Sequence, residues 1–103
     1  MSNKSRGIKK EWLLKRHLED EGYLVIRSSA SKTGVDILAG KNGRVLAFQV
    51  QSSDYIYPEK VRELERYAEA FGAEPVLAVR KNGKWIFASP KDLKRSGRMF
   101  KIS

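Results

Sequence analysis

Cysteine is absent from the sequence, so the chain can form no disulfide bond and has no thiolate for nucleophilic catalysis or metal binding. It also lacks an uninterrupted apolar run of about 18 residues, and its N-terminus lacks the apolar core of a signal peptide, so we expect no membrane span and a cytoplasmic location. Acidic residues are scarce, since 12 Asp and Glu stand against 21 Lys and Arg, for a formal net charge of +9. The alternative is a highly charged surface like that of thermophilic proteins, but such a surface would balance its lysines with glutamates. The excess of basic residues therefore predicts a polyanionic partner, most commonly nucleic acid.

The length of 103 residues predicts one domain, 1–103, with a modest core and no internal repeat or linker. Residues 1–7 form a predicted basic arm. Glycines, prolines and hydrophobic periodicity predict the following elements: a helix at 8–21, a strand at 23–27, a hairpin at 35–51, a helix at 58–71, a second hairpin that starts with a strand at 75–80 and turns at Asn82-Gly83, and a short helix from Ser89 to Gly97. The order α-β-β-β-α-β-β predicts an α/β fold in which helices pack against a sheet.

The hairpin at 35–51 has the clearest predicted register, because Asn42-Gly43 fits a two-residue type I′ turn. This turn places Asp36 directly opposite Gln49, with Cβ atoms about 4.5–5.5 Å apart. Gln51 shares their face of the hairpin, one pleat further along. A carboxylate and two amides are therefore predicted to cluster near one end, as a candidate site. The opposite face is apolar and carries the pairs Val35–Val50, Ile37–Phe48 and Ala39–Leu46.

The two long helices differ in their predicted inward faces. In the first, Glu11 falls inside the apolar arc that Leu14 and Leu18 define, given a rotation of about 100° per residue. A carboxylate directed inward is costly unless it has a partner, so Glu11 is a candidate site residue. The alternative is that it extends to the helix edge or pairs with Lys15. The second helix has a purely apolar stripe, which is predicted to be core: Val61, Leu64, Ala68 and Phe71.

Taken in order, these segments resemble the archaeal Holliday junction resolvases, small homodimeric members of the PD-(D/E)xK nuclease superfamily. The likeness covers nearly the whole chain and includes the helix with its glutamate, GYLVIRS at 22–28, VDILAG at 35–40, FGAEPVLAV at 71–79 and WIF at 85–87. The resemblance implies a restriction-endonuclease-like mixed central sheet flanked by helices. It also implies a homodimer that binds and cleaves four-way DNA junctions.

The same resemblance implies roles for individual residues. In the family, the helix glutamate, the aspartate and the glutamate of an E-V-K motif hold divalent metal ions, and the lysine assists the attacking water. A serine of a mobile loop lies near the scissile phosphate. Glu11, Asp36 and Ser31 occupy the helix glutamate, aspartate and serine positions here. The implied cofactor is Mg²⁺, with Mn²⁺ as an alternative.

The chain departs from the family pattern at the E-V-K motif, where it has Gln49-Val50-Gln51. A glutamine carbonyl can still ligate a metal, but it brings no charge to hold Mg²⁺, which prefers carboxylates. Gln51 also removes the cation that would position the nucleophile and offset charge developing on the phosphate. We therefore expect an unaltered fold, weakened or lost metal binding and impaired cleavage of junctions. Two alternatives stay open: a non-catalytic protein that binds branched DNA, and a different nuclease of the same superfold.

Basic side chains near both ends of the chain and around the candidate site are predicted to contact DNA phosphates, with little base specificity. They are Lys4, Arg6, Lys9, Lys10, Arg27, Lys32, Lys91, Lys94, Arg95 and Arg98. The C-terminal members could instead form only a solvated surface. The expected homodimer needs exposed apolar surface. Aromatic side chains that do not all fit into so small a core could supply it, namely Trp12, Phe71, Trp85, Phe87 and Phe100.

Overall fold

The computed structural model describes the backbone of residues 3–28 and 33–102, and within those ranges the side chains from Lys9 onward. Two helices, α1 and α2, and eight strands, β1 to β8, make up the described fold. The helices are α1 (Asn3–Asp20) and α2 (Pro58–Ala70). The strands are β1 (Leu24–Arg27), β2 (Ile37–Lys41), β3 (Arg44–Gln51), β4 (Tyr55–Ile56), β5 (Glu74–Lys81), β6 (Lys84–Ala88), β7 (Lys94–Ser96) and β8 (Met99–Lys101). A 3₁₀ turn, Pro90–Asp92, separates β6 from β7.

Five strands form the central sheet, in the order β1-β2-β3-β5-β6. The pair β3–β5 is parallel and the other neighbours are antiparallel, so the sheet is mixed. The parallel pair needs a crossover connection, and α2 lies within it. The predicted α/β class with a mixed central sheet is confirmed. Neither described helix is long and apolar enough to cross a membrane.

Both predicted Asn-Gly turns are present, and they set the register of their hairpins. Asn42 and Gly43 have φ values of 52° and 80°, which are the positive values that a type I′ turn requires. The β2–β3 ladder runs from the pair Lys41–Arg44 to the pair Ile37–Phe48, as predicted. The β5–β6 hairpin turns in the same way and contains the predicted pairs Arg80–Trp85 and Ala78–Phe87.

The central sheet is buried on both faces, whereas the sequence predicted one apolar face for the first hairpin. On one face α1 contributes Leu14 and Leu18, which pack with Ile37, Ala39, Phe48 and Ala78. On the other face α2 contributes its predicted stripe of Val61, Leu64 and Ala68, which packs with Ala47, Leu77 and Val79. Val35 belongs to the α2 layer, so the prediction that it shares a face with Ile37 is wrong.

The helix ends differ from the predictions in two places. Helix α1 begins at Asn3, so residues 3–7 of the predicted arm are helical. Its C-terminus is closed as expected by Gly22, at φ 95°, with a hydrogen bond of 3.0 Å from the Tyr23 N–H to the Leu18 carbonyl. Helix α2 ends at Ala70, and Phe71 is 59% exposed rather than part of the buried stripe.

The predicted helix from Ser89 to Gly97 is wrong. After the 3₁₀ turn the chain forms a hairpin of β7 and β8, and β8 also pairs with β4 in a second, three-stranded sheet. Gly97, at φ 60°, occupies the turn of this hairpin instead of ending a helix. The extended path allows Phe100 and Ile102 to pack on the α2 side of the core. The predicted helix start at Ser89-Pro90 is therefore present as a single 3₁₀ turn, and only its continuation to Gly97 is wrong.

Candidate active site

A cleft of about 410 Å³ lies at the end of β2 and β3, between the two helices. Glu11 enters it from α1, Asp36 from the start of β2, and Gln49 from β3. A larger groove of about 670 Å³ lies near Phe87, but none of these three residues lines it. The smaller cleft is therefore the candidate site. Its other lining residues are Thr33, Gly34, Val50, Glu59, Lys60 and Glu63.

Asp36 is held by the backbone of β3 at an irregularity in the hairpin. Its N–H donates to the Phe48 carbonyl over 2.8 Å, although Ile37 is already the ladder partner of Phe48. Two residues facing one is the pattern of a β-bulge, which redirects a side chain. The Asp36 Oδ2 then accepts a hydrogen bond of 2.8 Å from the Val50 N–H. The prediction that Asp36 lies directly opposite Gln49 is therefore wrong, because the regular ladder stops one residue earlier.

Burial controls the charge of Asp36, which is only 9% exposed. Desolvation raises the pKa of Asp36 to about 6, and the nearby negative charge of Glu11 adds to this effect. The Val50 N–H and the positive charge of Lys60 act in the opposite direction, because both favour the ionised carboxylate. Asp36 therefore gains a proton at a higher pH than an exposed aspartate does.

Glu11 is directed inward and has a cationic partner. Arg27 Nη1 donates to Glu11 Oε1 over 3.0 Å, and the two side chains are 19% and 15% exposed, respectively. The Arg27 guanidinium also lies over the Trp12 ring, with its central carbon 4.9 Å from the centroid. Lys15, the alternative partner considered for Glu11, pairs instead with Glu19. The charge of Arg27, predicted for DNA contact, is thus largely offset by Glu11.

The two glutamines occupy different positions relative to the cleft. Gln49 lines it, whereas Gln51 is not among its lining residues. Gln51 is half-buried at the end of β3, where its Cα pairs with that of Val79. The predicted cluster of one carboxylate and two amides is therefore reduced to Asp36 and Gln49, joined by Glu11.

Helix α2 forms one wall of the cleft, and sequence reasoning missed its contribution. Glu59, Lys60 and Glu63 all line the cleft from the first two turns of the helix. Gly34 packs against this wall so closely that an added Cβ would lie 2.7 Å from the Glu63 backbone. The sequence signal was available, because these polar residues flank Val61 on the exposed side of the apolar stripe. The end of the sheet that they face depends on the path of the crossover from β3 to β5.

The predicted basic residues lie in several parts of the chain. Lys9 is exposed and Lys10 half-buried on α1, while the side chains of Lys4 and Arg6 fall outside the described ones. Ser31 and Lys32 also lie outside the described residues. The C-terminal basic residues are exposed on the 3₁₀ turn and on the β7–β8 hairpin of the second sheet, at Lys91, Lys94, Arg95 and Arg98.

The donors in the cleft meet only part of what a tightly bound divalent ion needs. Within residues 3–28 and 33–102, no three Asp, Glu, His or Cys side chains converge as possible metal ligands. On the sheet and α1 side the available oxygens come from Asp36, from Glu11, which is already paired with Arg27, and from the neutral amide of Gln49. On the α2 wall, Glu59 and Glu63 are paired with Arg62 and Arg66. Mg²⁺ favours carboxylate oxygens, so this set fits a weakly held ion.

Comparisons with known proteins agree on one family. The sequence profile of the archaeal Holliday junction resolvase (hjc) family matches residues 2–103. The crossover junction endodeoxyribonuclease Hjc of Methanocaldococcus jannaschii is 42% identical over 101 residues, which cover 94% of this chain and 75% of that protein. The Archaeoglobus fulgidus protein of the same name is 32% identical over 108 residues, covering 96% and 79%. A solved structure of A. fulgidus Hjc, a Holliday junction resolvase, matches with a TM-score of 0.84 and 29% identity, over 94% of this chain and 83% of that one.

Proposed function

The chain belongs to the archaeal Holliday junction resolvase family, and we propose that it binds four-way DNA junctions as a resolvase whose cleavage step is impaired. The observation that carries the proposal is the composition of the cleft, where Gln49 stands beside Asp36 and Glu11 in place of a third carboxylate. The names of the relatives do not favour a purely non-catalytic junction-binding protein. Weak cleavage is therefore the expected activity.

Nucleases of this family are metal-dependent, and we infer that the ion here is Mg²⁺, with Mn²⁺ as an alternative. Asp36, Glu11 and the Gln49 carbonyl would hold it, and when bound it would activate water and polarise the phosphate. Asp36 keeps one carboxylate oxygen in place through the Val50 N–H, which orients the group toward the cleft. Arg27 fixes Glu11 but also competes for its charge. Both features support a site that is correctly shaped and deficient in negative charge.

We propose that DNA is held mainly through phosphates, by the basic residues of α1 and of the C-terminal hairpin. The net charge of +9 supports this role, and so does the exposure of Lys9, Lys91, Lys94, Arg95 and Arg98. Each cation that neutralises a phosphate releases condensed counterions, so affinity depends on salt rather than on base sequence.

A homodimer is also proposed, and an exposed apolar surface supports it. Leu24 and Ile26 on the edge strand β1 are 84% and 69% exposed. Ile26 and Phe71 line one small groove together with Tyr67, so the edge strand and the end of α2 form a continuous apolar patch. Such a patch favours association with a second copy, which would place two clefts on one junction.

The decisive experiment is a cleavage assay on a four-way junction with Mg²⁺ or Mn²⁺, beside a gel-shift assay on the same DNA. We expect tight binding of the junction, weaker binding of linear duplex, and slow metal-dependent cleavage. Equal affinity for junction and duplex would contradict the proposed specificity. Binding without any cleavage at high metal and enzyme concentrations would favour the non-catalytic alternative.

A further inference from the structure

The wall of the cleft that α2 supplies brings one positive charge into the candidate site. Among the described residues that line the cleft, Lys60 is the only cation. It is exposed in the first turn of α2, so its ammonium group can move within the cleft. A DNA phosphate that enters here is repelled by the carboxylates of Glu11 and Asp36, and a nearby cation offsets that repulsion.

The ion pairs around the cleft leave Lys60 available for this purpose. Its acidic neighbours on α2 are engaged by arginines of the same helix, Glu59 by Arg62 at 3.7 Å and Glu63 by Arg66 at 2.9 Å. The hydrogen bond from Arg66 holds the pKa of Glu63 below its usual range, so Glu63 is ionised and already paired. Lys60 itself has no ion pair within 4.0 Å among the described residues.

Among the described residues, the other elements that meet at the cleft offer no free positive charge there. Arg27 donates to Glu11 from the α1 side. Gln49 and Gln51 carry no charge, so the end of β3 at the cleft offers none. Lys60 lines the same cleft as Asp36 and Glu11, so its positive charge lies on the α2 side of the site.

We propose that Lys60 is a phosphate-binding residue of the candidate site, whose ammonium group contacts the DNA phosphate that enters the cleft beside Asp36. This inference rests on the proposed junction binding and assigns part of it to α2. Lys60 lies close to the N-terminus of a 13-residue helix, where the positive end of the helix dipole also favours an anion. The same positive charge would disfavour a divalent ion at Asp36. Lys60 would therefore favour binding of phosphate and weaken binding of metal.

The test uses three variants of the full chain: Lys60→Gln, Lys60→Arg and Lys84→Gln. Lys84→Gln is the matched control, because it removes one exposed lysine charge outside the cleft lining and leaves the Glu59–Arg62 pair intact. Affinity for a labelled four-way junction is measured by fluorescence anisotropy in EDTA, so that neither metal nor cleavage contributes. We expect Lys60→Gln to weaken binding about tenfold, the size of one charge-assisted contact, and Lys60→Arg to stay within about twofold. Lys84→Gln should lose at most about threefold.

A phosphate scan identifies the contact directly. Single neutral methylphosphonates are placed at successive positions around the branch point. We expect wild type to lose about tenfold at the phosphate in the cleft, and Lys60→Gln to lose nothing more at that position. The proposal is overturned if Lys60→Gln matches Lys84→Gln, or if the scan is the same for wild type and Lys60→Gln. Absence of a junction preference in wild type would overturn the proposed function instead, and duplex DNA would then decide the role of Lys60 by the same comparison.

Discussion

Replacing Asp36 with asparagine should stabilise the fold at neutral and alkaline pH. The carboxyl group is 9% exposed, and its pKa is raised from 3.8 to about 6 by burial and by Glu11. A group with a raised folded-state pKa binds its proton more tightly in the folded state than in the unfolded state. Its ionisation therefore costs nothing below pH 3.8 and reaches its full cost above pH 6. One pKa unit corresponds to about 1.36 kcal/mol, so the full cost is about 2 to 3 kcal/mol.

Asparagine has the same shape as the neutral carboxyl group, and its carbonyl can still accept the Val50 N–H bond. We therefore expect the free energy of unfolding of Asp36→Asn to exceed that of wild type by about 2 to 3 kcal/mol at pH 8 and by little at pH 4. Urea denaturation at several pH values measures this difference. Asp92→Asn, at an exposed position, is the control and should change stability by no more than about 0.5 kcal/mol. The reasoning is refuted if Asp36→Asn is no more stable than wild type at pH 8, or if its advantage does not vary with pH.

Three further outcomes are expected. In the double variant Gln49→Glu with Gln51→Lys, metal-dependent junction cleavage should increase about 10²-fold or more, and adding Asp36→Asn should remove the increase. A double variant that binds junctions yet never cuts them would show that the defect lies elsewhere. Junction affinity should fall roughly 10³-fold between 50 and 200 mM salt if about six phosphates are neutralised, and a flat salt response in titrations would contradict phosphate-based binding. Phe71→Glu or Ile26→Glu should convert a dimer into a monomer in light scattering at micromolar concentration, and a wild type that is already monomeric would reject the homodimer.

Local turn chemistry explains why the two main hairpins could be predicted from the sequence. Asn42-Gly43 and Asn82-Gly83 adopt positive φ values, which asparagine and glycine tolerate better than other residues. Each turn then sets the register of the adjoining strands. The same local reasoning placed Gly22 at the end of α1. These features depend on contacts between residues that are close in the chain.

Features that depend on distant contacts were missed. The bulge at Asp36 has no marker in the sequence, because it arises where the strand leaves the ladder. The C-terminal hairpin replaces a predicted helix since Ile102 packs into the α2 layer of the core. The position of Lys60 in the cleft depends on where α2 lies over the parallel pair β3–β5. The candidate carboxylates could be named from the sequence, but the wall that faces them could not.

The glutamine at position 49 also has a consequence for folding. A third carboxylate there would join Asp36 and Glu11 in one cleft, and like charges in a partly buried site raise one another's pKa. Burial and Glu11 already raise the pKa of Asp36 to about 6. The neutral side chain of Gln49 adds no further repulsion of Asp36 and Glu11 in the absence of metal. A functional metal site accepts this repulsion because the bound ion removes it. On the proposed metal-binding role, we therefore expect Gln49 to stabilise the metal-free fold and to weaken binding of the ion, and both effects have one electrostatic cause.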